Sequence, residues 1–109
     1  MYKHVAEAFV SVLCAECVAE KVCARSSELC RSIGVTGADK LLDFGDARAI
    51  LRPTDEGLLF RVEAHNVITF YGIRTLLQGS LSAIMTVYEE AFEWLPASGV
   101  PFGAIRGHV

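Results

Sequence analysis

Cys14 and Cys17 enclose Ala15 and Glu16 in a CxxC, and residues three apart share one face of a helix. That spacing suits a redox disulfide or two thiolate ligands to zinc, so Cys14 and Cys17 are the candidate metal residues. The motif reads as part of an apolar helical run, away from the strand-to-helix turn where redox pairs stand. Cys23 and Cys30 fall mostly on other faces of a straight helix, and a four-thiolate site would need a sharp bend. The plain reading of all four is small apolar residues with free thiols. Glu63 and His65 lie two apart at a strand end, so they project to one side and could pair as carboxylate and imidazole, the arrangement of a general base. Arg48, Arg52 and Arg61 gather on one sheet face, where forked guanidiniums could hold a carboxylate or phosphate. Asp43, Glu56 and Glu63 are equally placed to neutralise them, and cross-strand ion pairing is the plain alternative. Asp43-Phe44-Gly45 spells DFG, but no glycine-rich loop or catalytic loop accompanies it, so it reads as a turn.

The elements that must position these residues follow from periodicity. Val5, Ala8, Phe9, Val12 and Leu13 recur at helical intervals, and most of the stretch from Val5 to Ile33 is expected to be helical. A second helix is expected from about Glu28, capped by Ser26 or Ser27 and ended at Gly34, with Cys17 to Cys23 open to a short strand instead. Alternation then predicts a three-stranded antiparallel meander at about 40–44, 47–52 and 58–63, with a tight turn at Gly45-Asp46. Ala47, Ala49, Leu51, Leu58, Phe60 and Val62 form its inner face, and the arginines lie on its polar side. Asn66 is the N-cap of a long helix over about 67–95. Val67, Phe70, Tyr71, Leu77, Leu81, Ile84, Tyr88 and Phe92 form one apolar row of that helix. Ile73, Leu76, Ala83, Val87, Ala91 and Trp94 form another, leaving Arg74 and Gln78 on a narrow polar stripe. Gly72 and Gly79 then call for close backbone approach or a break. The expected fold is two-layer α+β, one domain over 1–109 with an irregular tail at 96–109.

Composition narrows the function classes. A chain of 109 residues with 52% hydrophobic residues buries one core, and a net charge of −3 without a basic stripe argues against nucleic acid. No window is apolar enough to span a membrane, and Glu7 interrupts the leader-like stretch after Lys3. The expected compartment is the cytoplasm.

Three segments resemble the bacterial domain family DUF2218 over about residues 24–81. Ser27-Glu28-Leu29-Cys30-Arg31 is similar to its leucine-cysteine-basic segment. Phe44-Gly45-Asp46-Ala47 is similar to its phenylalanine-glycine turn, and Gly57-Leu58-Leu59-Phe60-Arg61-Val62-Glu63-Ala64 to its most characteristic strand. Ser32 and Ser80 stand where the family usually has histidines, so no role of those histidines is carried over. The resemblance implies a small α+β domain, no established activity, and a link to iron or siderophore handling by association alone.

These readings lead to a non-enzymatic interaction or small-ligand-binding domain that acts as a homodimer. Its interface would use Ile73, Leu76, Ala83, Val87 and Trp94, and its ligand would meet Arg48, Arg52, Arg61, Glu63 and His65. No cofactor is implied. The alternative is a small metal-dependent or thiol-redox enzyme using Cys14 and Cys17, or Glu63 and His65.

Overall fold

The computed structural model describes residues 2–84 and 93–97. The chain is α+β. Strand β1 (His4–Val10) leads into helix α1 (Ala15–Ser26), then strands β2 (Ser32–Thr36), β3 (Asp39–Asp43), β4 (Ala47–Pro53) and β5 (Leu58–Ala64). Helix α2 (Val67–Ile84) and the short strand β6 (Leu95–Pro96) follow. All six strands form one antiparallel sheet in the order β2-β3-β4-β5-β1-β6, so the chain start lies inside the sheet, between β5 and β6.

The expectation of three strands is thus corrected to six among the described residues, and the largest difference is at the N-terminus. Val5 to Val10 is strand, not helix. Ala6, Ala8 and Val10 point to the core and Val5, Glu7 and Phe9 to the opposite face, and both sets are at least half-buried. A strand covered on both faces shows no clean alternation, and its apolar residues fit a 3.6 period as readily as a 2.0 period.

Helix α1 begins only at Ala15, and its buried residues Ala15, Val18, Ala19, Val22, Cys23 and Ser26 make one unbroken stripe at three-four spacing. Glu16 in its first turn and Arg25 in its last complement the helix dipole. Residues 28–34 are not a second helix: Leu29 N–H donates to the Ser26 carbonyl (3.0 Å) in a turn, and β2 follows with every residue exposed at the sheet edge.

The β3–β4 turn is closed by Phe44 N–H donating to the Ala47 carbonyl (2.9 Å), with Gly45 at φ 98°. Only glycine adopts that backbone without strain, and Asp43 Oδ1 accepts the Gly45 N–H (2.8 Å). Asn66 caps α2, its Oδ1 accepting from Ile68 N–H (2.7 Å) and Thr69 N–H (3.3 Å).

Both helices pack on one face of the sheet and on each other. Small side chains on that face, Ala6, Ala8, Ala47, Ala49 and Ala64, let the helices approach Leu42, Leu51, Phe60 and Val62 closely in a single core. From α2, Phe70, Ile73, Leu77 and Leu81 are buried there. Ile73, expected in the outer row, is therefore core. Gly72 and Gly79 are exposed, and a β-carbon at either would meet nothing within 4 Å, which removes the close approach expected of them. Leu95 is not helical: Leu95–Pro96 pairs with Glu7 and Ala6 of β1, so the expected helix over 67–95 does not reach its expected end and residue 96 is strand, while residues 98–109 of the expected tail lie outside the described residues. Tyr88, Phe92, Val87 and Ala91 lie outside the described residues.

Candidate functional site

The sheet face turned away from the helices carries the three candidate arginines, and the strand register decides what they meet. Glu7 of β1 stands opposite Arg61 of β5, and Arg48 of β4 opposite Glu63 of β5. Arg61 Nη1 donates to Glu7 Oε2 at 2.5 Å and its Nε to Glu63 Oε2 at 2.6 Å, while Arg48 Nε donates to Glu63 Oε1. Two carboxylates and two guanidiniums thus alternate in one chain of charge-assisted bonds. Arg52 forms a two-pronged pair with Asp39 at 2.7 and 2.8 Å. The three guanidiniums that could have held an external anion are engaged with carboxylates of their own chain.

Burial departs from the expected solvated face. Arg61 is 1% exposed, Glu7 0% and Glu63 4%, beside a second apolar cluster of Leu59, Phe9, Ile50 and Leu95. The insertion of β1 next to β5 supplies Glu7 and Phe9 to this face, which a three-stranded meander could not do. Burial disfavours the Glu63 carboxylate, but hydrogen bonds from Arg48 and Arg61 outweigh it and hold its pKa below the ordinary value. The bond to Glu63 raises the Arg48 pKa, and the bond to Asp39 raises that of Arg52.

A pH dependence follows. A carboxylate whose folded pKa is depressed adds stability that is complete above its unfolded pKa of about 4.3 and is lost as pH falls through the folded value. Glu63→Gln is expected to be less stable than wild type at neutral pH, with the gap closing below about pH 4. Urea midpoints measured against pH test this, and a gap that stays constant from neutral to acid would refute it.

His65 does not join Glu63. It lies beyond the end of β5, exposed, and stacks on Tyr2 with ring centroids 4.6 Å apart; the Tyr2 ring also receives the Arg48 guanidinium at 5.3 Å. With both Glu63 oxygens taken by arginines, the carboxylate–imidazole pair of a general base is not assembled.

Cys14 and Cys17 are joined in a disulfide, and both are exposed. This corrects the reading of buried free thiols, and its cause is the late start of α1, which puts Cys14 at the N-cap after the strand instead of inside a helix. Cys23 and Cys30 are free thiols, and burial raises the pKa of each. Among the described residues no three His, Cys, Asp or Glu side chains converge to hold a metal ion.

The groove where β1, α2 and β6 meet was not foreseen. A cleft of about 340 Å³ opens there, lined by Lys3, His4, Val5 and Ala6 from the start of the chain, Phe70, Tyr71 and Arg74 from α2, and Trp94, Pro96 and Ala97 from the last described segment. Arg74, one turn beyond Phe70 and Tyr71, holds its guanidinium carbon 5.4 Å and 4.9 Å from their ring centres and 5.1 Å from that of Trp94. Trp94 Nε1 donates to Gln78 Oε1 at 3.1 Å, fixing the third ring. Arg74 Nε is buried without a hydrogen-bond partner, and none of the described residues that line the cleft is acidic. His4 sits against Phe70, centroids 5.6 Å apart. The signal in the sequence was the Phe70-Tyr71-Arg74-Gln78 spacing, but Lys3, His4 and Trp94 reach this place only through the pairing of β1 with β5 and β6.

Of the expected interface row, Ile73 is in the core, Leu76 half-buried, Ala83 exposed and Trp94 in the cleft, while Val87 is outside the described residues. No helix of the described residues is long and apolar enough to cross a membrane.

This architecture is found among solved structures. The chain is similar to the NMR structure of PA4090 from Pseudomonas aeruginosa, with a TM-score of 0.67 and 13% sequence identity over 86% of this chain and 95% of that one. At that identity the likeness establishes the fold alone. No family model matches the chain, and no curated protein matches it.

Proposed function

We propose that the cleft is a non-enzymatic binding site for a small organic anion with a flat apolar body, such as an aromatic carboxylate or a catecholate. The observation that carries this reading is Arg74, whose buried Nε lacks a partner in a cleft that holds Lys3 and His4 and, among its described lining residues, no acid. An unmet buried donor costs about 1–3 kcal/mol, a loss that is recovered when the Arg74 guanidinium turns to meet an incoming oxyanion. The rings of Phe70, Tyr71 and Trp94 hold the guanidinium by cation–π contact and offer faces for a planar ligand. A volume of about 340 Å³ suits a ligand of one ring and its substituents. The three segments that resemble DUF2218 extend the proposal, by association alone, to iron and siderophore handling, where catecholate and salicylate groups are ligands of this chemistry.

The test is titration with salicylate, benzoate and catechol, followed by calorimetry and by the fluorescence of Trp94, the chain's single tryptophan. Benzoate or salicylate is expected to bind and to change Trp94 emission, and Arg74→Met to weaken it about 10- to 100-fold, the loss of one charge-assisted hydrogen bond. Benzyl alcohol, neutral and of similar shape, is expected to show no such difference between wild type and variant. Equal affinity of wild type and Arg74→Met for each anion, or no binding of any of the three, would overturn the proposal.

A further inference from the structure

At the opposite end of β1 from the cleft, the chain leaves the strand at Val10 and reaches α1 through residues 11–14. Cys14 takes the N-cap position of α1 and Cys17 is its third helical residue, so the CxxC lies on a strand-to-helix turn. The sequence alone does not reveal this context, and it is the one in which CxxC pairs do redox work. Both sulfur-bearing residues are exposed, and Leu13 beside them is 103% exposed, an apolar side chain presented fully to solvent next to the disulfide.

We propose that Cys14–Cys17 is a thiol–disulfide exchange site, with Cys14 as the sulfur that an incoming cysteinyl thiolate attacks. The first N–H groups of a helix have no partner within it, and an N-cap side chain ordinarily accepts one of them. In the disulfide form Cys14 makes no such bond. Once reduced, a Cys14 thiolate accepts from the N–H of Glu16 or Cys17 and sits at the positive end of the helix dipole, so reduction supplies a cap that oxidation withholds. Glu16, whose charge opposes that thiolate, is drawn toward Lys40 at 3.7 Å.

The exchange balances in two steps. A substrate thiolate attacks Cys14 Sγ, a substrate–Cys14 bond forms, the Cys14–Cys17 bond breaks, and Cys17 leaves as a thiolate that takes up a proton. A second substrate thiolate then attacks the substrate sulfur of the mixed disulfide and expels the Cys14 thiolate. Two thiols are oxidised to one disulfide, and the CxxC is reduced by the same two electrons. Cys23 and Cys30 do not compete. Cys23 is buried, Cys30 is half-buried with its Sγ donating to the Ser27 carbonyl at 3.8 Å, and burial keeps both as thiols.

The full chain is equilibrated with reduced and oxidised glutathione at graded ratios, alkylated, and digested with trypsin. The fragment spanning residues 4–21 contains Cys14 and Cys17 and neither other cysteine. It is expected to shift from disulfide to doubly alkylated across the ratios. Oxidised glutathione then traps the single variants, and the reduced Cys17→Ser chain is expected to gain one glutathionyl group at Cys14 roughly tenfold faster than Cys14→Ser gains it at Cys17. Circular dichroism confirms that both variants keep the fold. A 4–21 fragment that remains wholly disulfide, or wholly reduced, at every ratio overturns the exchange site, and equal rates in the two variants overturn the assignment of Cys14.

Discussion

Arg61→Met is expected to destabilise the protein by about 3–5 kcal/mol, read as a fall in the urea midpoint at neutral pH. Arg61 is the hinge of the buried charge chain, bonded at 2.5 Å to Glu7 and at 2.6 Å to Glu63. Methionine can fill the volume of the arginine stem but leaves two carboxylates in a place almost closed to water. Glu63 keeps Arg48, while Glu7 loses the partner that faces it across the strands. Against a total stability of about 5–15 kcal/mol for a domain of this size, such a loss removes a large share. The companion variant Glu7→Leu/Arg61→Met/Glu63→Leu separates the pairing from the burial. Replacing a whole buried ionic cluster by apolar residues is often neutral, so this chain is expected to recover most of the lost stability, with Arg48 free to turn to water from its half-exposed position. A loss below about 1 kcal/mol in Arg61→Met would show that the cluster does not act as a unit.

Gly57→Ala is expected to cost near the upper end of about 1–3 kcal/mol, although it adds a single methyl group. Gly57 stands just before β5, where the chain passes the end of β1. A β-carbon there would lie 2.3 Å from the Val10 carbonyl oxygen, 2.9 Å from Ser11 Cα and 2.8 Å from Phe9 Cζ. Two of those atoms are backbone, so the clash is relieved only by moving β1 away from β5. The same movement would disturb the Thr54 turn, in which Thr54 Oγ1 accepts from Gly57 N–H at 3.1 Å and Thr54 N–H donates to the Gly57 carbonyl at 2.8 Å. Gly72→Ala is the control, because a β-carbon there meets nothing within 4 Å, and alanine in a helix is favoured over glycine by about 1 kcal/mol. The pair is compared by thermal and urea unfolding. A Gly57→Ala chain as stable as wild type would mean that β1 and β5 can separate at this point without loss.

Local chemistry, where one residue type dominates its surroundings, was readable from the chain alone. Gly45 takes a positive φ, which its place in a two-residue turn requires. Asn66 caps α2 because its side chain can reach the N–H groups two and three residues on, a relation contained within one turn. The alternation of Ala47, Ala49 and Leu51 with Arg48, Ile50 and Arg52 separates the two faces of β4, since a strand cannot put neighbours on the same side. The α+β class follows from the same periodicities.

Tertiary structure decided what the partners are. Residues 5–10 fit helix and strand equally well by spacing, and their capture between β5 and β6 made them strand. From that one placement come the burial of Arg61 by way of Glu7, the start of α1 at Ala15, and the position of Cys14 at a helix N-terminus. It also carries Lys3 and His4 to Arg74 and Trp94, which are far from them in sequence. A periodicity reports only which residues share a face. That β1 lies beside β5 is set by contacts between residues more than fifty positions apart, such as Glu7 and Arg61, and no local pattern records them.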